Sequence, residues 1–482
     1  MMRTCLYITI LLICSLFLSD CKKDKGLADL GGYPNDIGKI MILKCATSGC
    51  HNNASYQAAA GLNLSTWESL FAGSSSGSPV IPYRSDFSSL CYFINTYSDL
   101  GIINSPTMPY NGNELSREEV KLIKDWIDAG APDINGNIKW ADNPNRKKVY
   151  VINQGCDVVT VFDQETQLPI RYINVGRDAV NTENPHMIKV SPDGQYWYVV
   201  FLNSSYMQKY RCSDDVFMGE VNLNNALDWN TFVITDDGKK AFCVSWALSG
   251  RIASVDLDKM KLITDVFPIR YPHGVALNET NDTLYVTGQQ SNYILKVDTS
   301  LQSLPTQTIT LDGMPVLDAN SLNPHEILIS PDKKNFYITC YGSAELRVFN
   351  IASQSTTTII PVGQSPVEMS VAPNKRKLYI TCMNDITSFP GFRGSVSEID
   401  IDLFTERRMQ VGETPHGLAV DESKGVVYIA SRNTSSSGPA PHHSAVCGGR
   451  NGFISYIDIN TFTLKSKRTE VSVDPYGVAI RK

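Results

Sequence analysis

The chain has no excess of positive charge: 43 Lys and Arg stand against 49 Asp and Glu, a formal net charge of -6. That removes the basic surface on which nucleic-acid recognition rests. No P-loop, dinucleotide fingerprint or nucleophile elbow occurs, which excludes the nucleotide and serine-hydrolase chemistries those motifs carry. The apolar run Leu6 to Leu18 has the length of a signal-peptide core and is too short to span a bilayer comfortably. Histidine is scarce, at seven residues, so any regular placement of it carries information.

What is abundant is Tyr, at 22 residues, and Gly, at 33, a balance that leans toward strands and turns rather than helices. At 482 residues one core is not enough, and two or more domains are expected. Arg3 and the apolar run at the N-terminus predict export, with a signal segment over 1–20 and a tether over 21–30. The run ends Leu18-Ser19-Asp20-Cys21, followed by Lys22 and Lys23. This resembles the lipobox of bacterial lipoproteins, with Asp20 where a small residue is usual. The resemblance implies acylation of Cys21 and a lipid anchor on the cell envelope, periplasmic or at the cell surface, on the outer membrane. An ordinary signal peptide containing a cysteine is the alternative.

The residues that point most directly at chemistry are Cys45-Ala46-Thr47-Ser48-Gly49-Cys50-His51. Two thiols can be alkylated by haem vinyl groups, and the following histidine can ligate the iron. Four residues separate the cysteines where the usual motif has two. A Cys45–Cys50 disulfide or a small metal site is the other reading. Ile37, Ile40 and Met41 form a helical apolar face leading into the motif, and Thr66 to Ala72 is helix-like. Pro106-Thr107-Met108-Pro109 follows. Ser116 with Glu119 makes a capping box, and Val120, Ile123, Trp126 and Ile127 continue at helical spacing to Gly130.

Over residues 31–135 the motif, the Met-Pro loop and the final Trp126 helix together resemble a class I c-type cytochrome. The resemblance implies a small all-α domain with one covalent haem c on Cys45 and Cys50, His51 as proximal ligand and Met108 as distal ligand.

Beyond a polar linker over 136–145, a charged turn followed by a strand with a central aromatic recurs seven times, centred on Tyr150, Tyr198, Phe242, Tyr285, Tyr337, Tyr379 and Tyr428. A second phrase stands before most copies: Pro185-His186, Trp229-Asn230, Pro272-His273, Pro324-His325, Pro366-Val367, Pro415-His416 and Pro475-Tyr476. Four strands per unit at this period predict an all-β seven-bladed β-propeller over 146–482. The offset of the second phrase predicts that the C-terminal strand closes the first blade. Phrases such as Leu284-Tyr285-Val286-Thr287 and Phe336-Tyr337-Ile338-Thr339 resemble the YVTN family of propellers.

His186, His273, His325 and His416 share one repeat phase, which predicts that they ring the mouth of the axial channel. Converging imidazoles could bind copper or iron; equally, each histidine can hydrogen-bond the backbone of a neighbouring blade. A late insertion, Asn433 to Gly452, carries His442, His443 and Cys447, a second possible metal site or a surface loop. Most of the remaining cysteines sit in apolar strand-like segments and read as buried free thiols. Together these predict an exported haem c electron-transfer protein whose propeller binds a redox partner or small-molecule substrate. With metal on the axis it would be an oxidoreductase. The alternative is a surface binding or scaffold protein with a structural first domain.

Overall fold

The seven repeats become seven four-stranded antiparallel sheets in the computed structural model of the protein, which describes residues 29–302, 307–318 and 320–482. The signal segment over 1–20 and Cys21 lie outside the described residues. In blades 2 to 7 the Pro-His-type phrase opens the innermost strand: Pro185–Val190, Trp229–Ile234, Pro272–Leu277, Pro324–Ile329, Pro366–Ala372 and Pro415–Asp421. Blade 1 takes its innermost strand, Pro475–Ile480, from the C-terminus. It pairs antiparallel with Lys148–Asn153, Val149 opposite Ile480 and Val151 opposite Val478. The molecule is a seven-bladed propeller closed as the repeat offset predicts, so the two ends of the propeller segment share the sheet of blade 1 and the ring is clasped there.

Blades pack face to face, which is why strands such as Lys148–Asn153 and Val158–Asp163 are buried along their whole length. Seven apolar clusters fill the seven clefts between neighbours. One joins Tyr150 and Ile152 of blade 1 to Trp197 and Tyr210 of blade 2, and another joins Tyr428 and Tyr456 of blade 7 back to Val149 and Phe162 of blade 1. Trp197 lies flat on Tyr210, ring centroids 3.9 Å apart. Deleting such a side chain would cost about 3–5 kcal/mol. A buried ion pair, Lys148 Nζ to Asp215 Oδ2 at 2.7 Å, adds a polar bolt between blades 1 and 2, with Lys148 also donating to the Cys212 carbonyl.

Residues 29–135 fold as short helices around one core. Helix α1, Asn35–Ile40, runs into a π turn, Met41–Cys45. Helix α2 is Trp67–Leu70, α3 is Ser89–Ile94 and α4 is Arg117–Asp128. Both Thr66 and Ser116 form capping boxes, and α4 ends where Gly130 takes φ +101, a conformation that glycine adopts without Cβ strain. The Trp67 and Trp126 indoles donate to the carbonyls of Ala131 and Pro132, fixing the chain as it leaves α4.

This helical unit is seated on the propeller rather than strung from it. Phe87 stacks on Tyr172 of blade 1 at 4.2 Å, Ser78 Oγ donates to the Pro169 carbonyl, and Arg84 donates to the Tyr172 carbonyl and to Asn174 Oδ1. Within the connecting segment, Trp140 packs against the cluster between blades 1 and 2.

Candidate functional site

The extra residues between the cysteines are absorbed locally. The π turn ends at Cys45, with Ala46 N–H donating to the Met41 carbonyl, and Cys50 N–H then closes a turn onto Thr47. Gly49 at φ +81 faces open space, so the loop bulges outward while His51 N–H comes back to the Cys45 carbonyl at 3.2 Å. Cys45 and Cys50 are both free thiols, not a disulfide. Burial pushes the Cys45 thiol up to about 12, so it is uncharged at neutral pH. His51 Nδ1 lies 3.1 Å from the Leu62 carbonyl and therefore carries the proton, leaving the Nε2 lone pair as a donor. A backbone acceptor on the far ring nitrogen is the arrangement that orients metal-ligating histidines.

Cys45, Cys50, His51 and Met108 all line one cavity of about 1560 Å³. That exceeds the roughly 300–1,000 Å³ of pockets enclosing drug-sized ligands. Leu62, Leu64, Leu90, Ile94 and Pro106 supply apolar walls. Met108 is positioned by its N–H, which donates to the Phe93 carbonyl at 2.7 Å, and it packs on the helical core. The set fits a covalently attached haem: two free thiols, an oriented imidazole and a thioether share one largely apolar chamber.

The opposite wall belongs to the propeller. Tyr172 of blade 1, Arg393 in the loop between the second and third strands of blade 6, and Phe453, Arg468, Glu470, His442 and His443 of blade 7 and its insertion line the same cavity. The insertion is pinned by a disulfide between Cys156 and Cys447, so Cys447 offers no thiolate beside His442 and His443, correcting that part of the metal reading. His443 instead meets Tyr92 of α3 edge-on at 5.0 Å and pairs with Glu470 at 3.4 Å. Glu470 also accepts from the His442 N–H at 2.6 Å and from Asn451 at 2.8 Å. The other free cysteines, Cys91, Cys212, Cys243, Cys340 and Cys382, are buried.

His186, His273, His325 and His416 do converge on the axis. Ring centroids lie 3.9 Å apart for His273 and His325, 6.4 Å for His325 and His416, and 6.5 Å for His186 and His416. Tyr476 stacks on His416 at 3.6 Å. Burial drives the ring of His273 down to about 4 and the other three well below their usual range, so the cluster is neutral. Gln154 contacts His186 Nδ1 at 2.8 Å, while Nδ1 of His273, His325 and His416 is buried without a partner. Among the described residues no group of three or more His, Cys, Asp or Glu is arranged to hold a metal ion. Glu326 and Glu368 border a separate small cavity on the innermost strands, with Lys189. Burial and the neighbouring Glu326 raise Glu368 to about 8.

No family model matches the sequence, and no curated protein matches it. Among solved structures, a functionally unknown protein from Desulfotomaculum acetoxidans superposes with a TM-score of 0.53 at 12% identity, covering 69% of this chain and 98% of that one. The propeller fold is thus shared with a known structure. Hydrazine synthase of Kuenenia stuttgartiensis gives a TM-score of 0.49 at 17% identity, over 64% of this chain and 92% of that chain.

Sequence reading missed Leu62, Tyr92, Arg393, Arg468 and Glu470. The propeller residues among them lie some 300 or more positions from Cys45 and reach the cavity only when blade 7 comes round to blade 1. The sole sequence signal was the insertion Asn433 to Gly452.

Proposed function

We propose that the protein is an exported, lipid-anchored electron-transfer protein that carries one haem c between its helical unit and its propeller. The observation that carries this reading is the single cavity lined by Cys45, Cys50, His51 and Met108, with the His51 ring held by Leu62 so that Nε2 remains available. When bound, the haem would supply a one-electron couple, biased toward the ferrous state by a soft thioether ligand. Cys45 and Cys50 would hold the group covalently, His51 and Met108 would supply ligands to its iron, and Leu64, Leu90 and Ile94 would keep water from it. The propeller provides the remaining wall, so a redox partner or small substrate resting on blades 6 and 7 sits beside the cofactor.

Export rests on the N-terminal sequence and is supported by the Cys156–Cys447 disulfide, which belongs to an oxidising compartment. The axial histidines are assigned to packing, because their neutral rings pack at an angle against one another and His416 stacks on Tyr476. Protein produced with haem-maturation machinery should show sharp reduced α and β absorption bands. Replacing Met108→Ala should alter that spectrum and lower the midpoint potential. A protein that stays colourless would favour the surface binding or scaffold reading, with a structural first domain.

A further inference from the structure

A haem brings two propionate carboxylates, and the helical unit has little to meet them. Of its residues lining the cavity only Lys44 is charged, and its ammonium is committed to Glu119 at 2.6 Å. The propeller wall differs. It presents Arg393, Lys465, Lys467 and Arg468, and just two carboxylates, Glu413 and Glu470. Both carboxylates already have partners: Glu413 accepts from Ser437, and Glu470 is held by the His442 N–H, Asn451 and His443.

The four cations are not equivalent. Lys467 donates to the carbonyls of Thr166 and Gln167, and Lys465 lies near enough to Asp458 to lower its pKa. Arg393 uses Nε on Asn384 Oδ1, which leaves its terminal nitrogens. The Arg468 side chain makes no hydrogen bond or ion pair among the described residues. Its guanidinium lies over the Phe453 ring at 4.2 Å, on the strand that also carries Glu470. A planar guanidinium already oriented by an aromatic face is the cation best suited to bidentate carboxylate binding.

We infer that Arg468, assisted by Arg393, receives the haem propionates, so that the propeller is part of the haem site and tunes its potential. This rests on the haem reading above. A cation beside the porphyrin favours the less positive ferrous state; removing it lowers the reduction potential and lets the propionate take up a proton nearer neutral pH. The outer strand of blade 7 thereby becomes a place where partner docking can change the driving force for electron transfer.

The test uses the full-length protein carrying haem. Arg468→Gln, Arg393→Gln, the double variant and Arg468→Lys are compared with wild type by redox titration across pH, with haem attachment checked by mass and folding by thermal melting. The inference predicts that haem attachment and melting are retained. It predicts a lower midpoint potential and a steeper pH dependence in Arg468→Gln, larger effects in the double variant, and partial recovery in Arg468→Lys. An unchanged potential and pH profile in a haem-loaded double variant overturns the inference while leaving the haem reading intact. So does a difference that emerges only when succinate is added, since the arginines would then serve a soluble carboxylate. A wild-type protein without haem overturns both.

Discussion

The bond between Cys156 and Cys447 gives the sharpest handle on the cavity wall, because it ties the hairpin that starts blade 1 to the insertion of blade 7. The perturbation is Cys156→Ser with Cys447→Ser. The bond spans 291 residues of chain, and the chain-entropy relation for a loop of that length gives about 5.7 kcal/mol of destabilisation of the unfolded state. In the folded protein the strand Pro475–Ile480 already closes blade 1, so the ring stays shut without the bond and the loss falls mainly on the unfolded ensemble. The expected result is a lower urea midpoint, worth about 2–5 kcal/mol, measured by tryptophan fluorescence. Limited proteolysis should show new cleavage confined to 433–452, the insertion that the bond pins and that sets His443 against Tyr92. A variant with an unchanged urea midpoint and an intact insertion would refute the idea that this bond secures the wall of the cavity.

Other predictions concern the frame around that site. Asp215→Ala strands the buried Lys148 ammonium and should cost about 3–5 kcal/mol, whereas Lys148→Met with Asp215→Leu should restore much of the loss; a double-variant cycle in urea reads both. Trp197→Ala, opening the cleft between blades 1 and 2, should cost about 3–5 kcal/mol in the same assay. Stability should fall as pH drops from the ordinary histidine value toward about 4, because His273 is depressed to about 4 when folded and the unfolded chain takes up the proton first. Glu368 acts in the opposite sense. Raised to about 8 when folded, it is protonated in the native state, so its contribution declines as pH rises from the ordinary glutamate value to about 8. Glu368→Gln should flatten the alkaline limb of a stability–pH curve, and a curve unchanged from wild type would contradict the assignment.

The propeller was legible because each blade repeats the same local instruction. A charged turn, a central aromatic and a Pro-His-type entry each describe one strand, and the offset of Pro475-Tyr476 revealed the closure before any contact was known. The helical unit was readable at its ends, through the Ser116 capping box and the residues of α4. The four-residue spacing between the cysteines was harder. What makes it workable is a π turn and a left-handed Gly49, and neither leaves a periodic trace in sequence. The cavity itself could not be read from the chain, because it is assembled from the helical unit, blade 1, a loop of blade 6 and the insertion of blade 7. The Cys156–Cys447 bond was equally out of reach, because the two cysteines meet only when ring closure brings blade 7 against blade 1.

The most direct test of the account is the intact mass of the protein isolated from cells that mature c-type haem, followed by mapping of the peptide that contains Cys45 and Cys50. The account predicts the polypeptide mass plus one haem, with both thiols consumed as thioethers. The bare polypeptide mass, with Cys45 and Cys50 recovered as thiols or joined to each other, would contradict it.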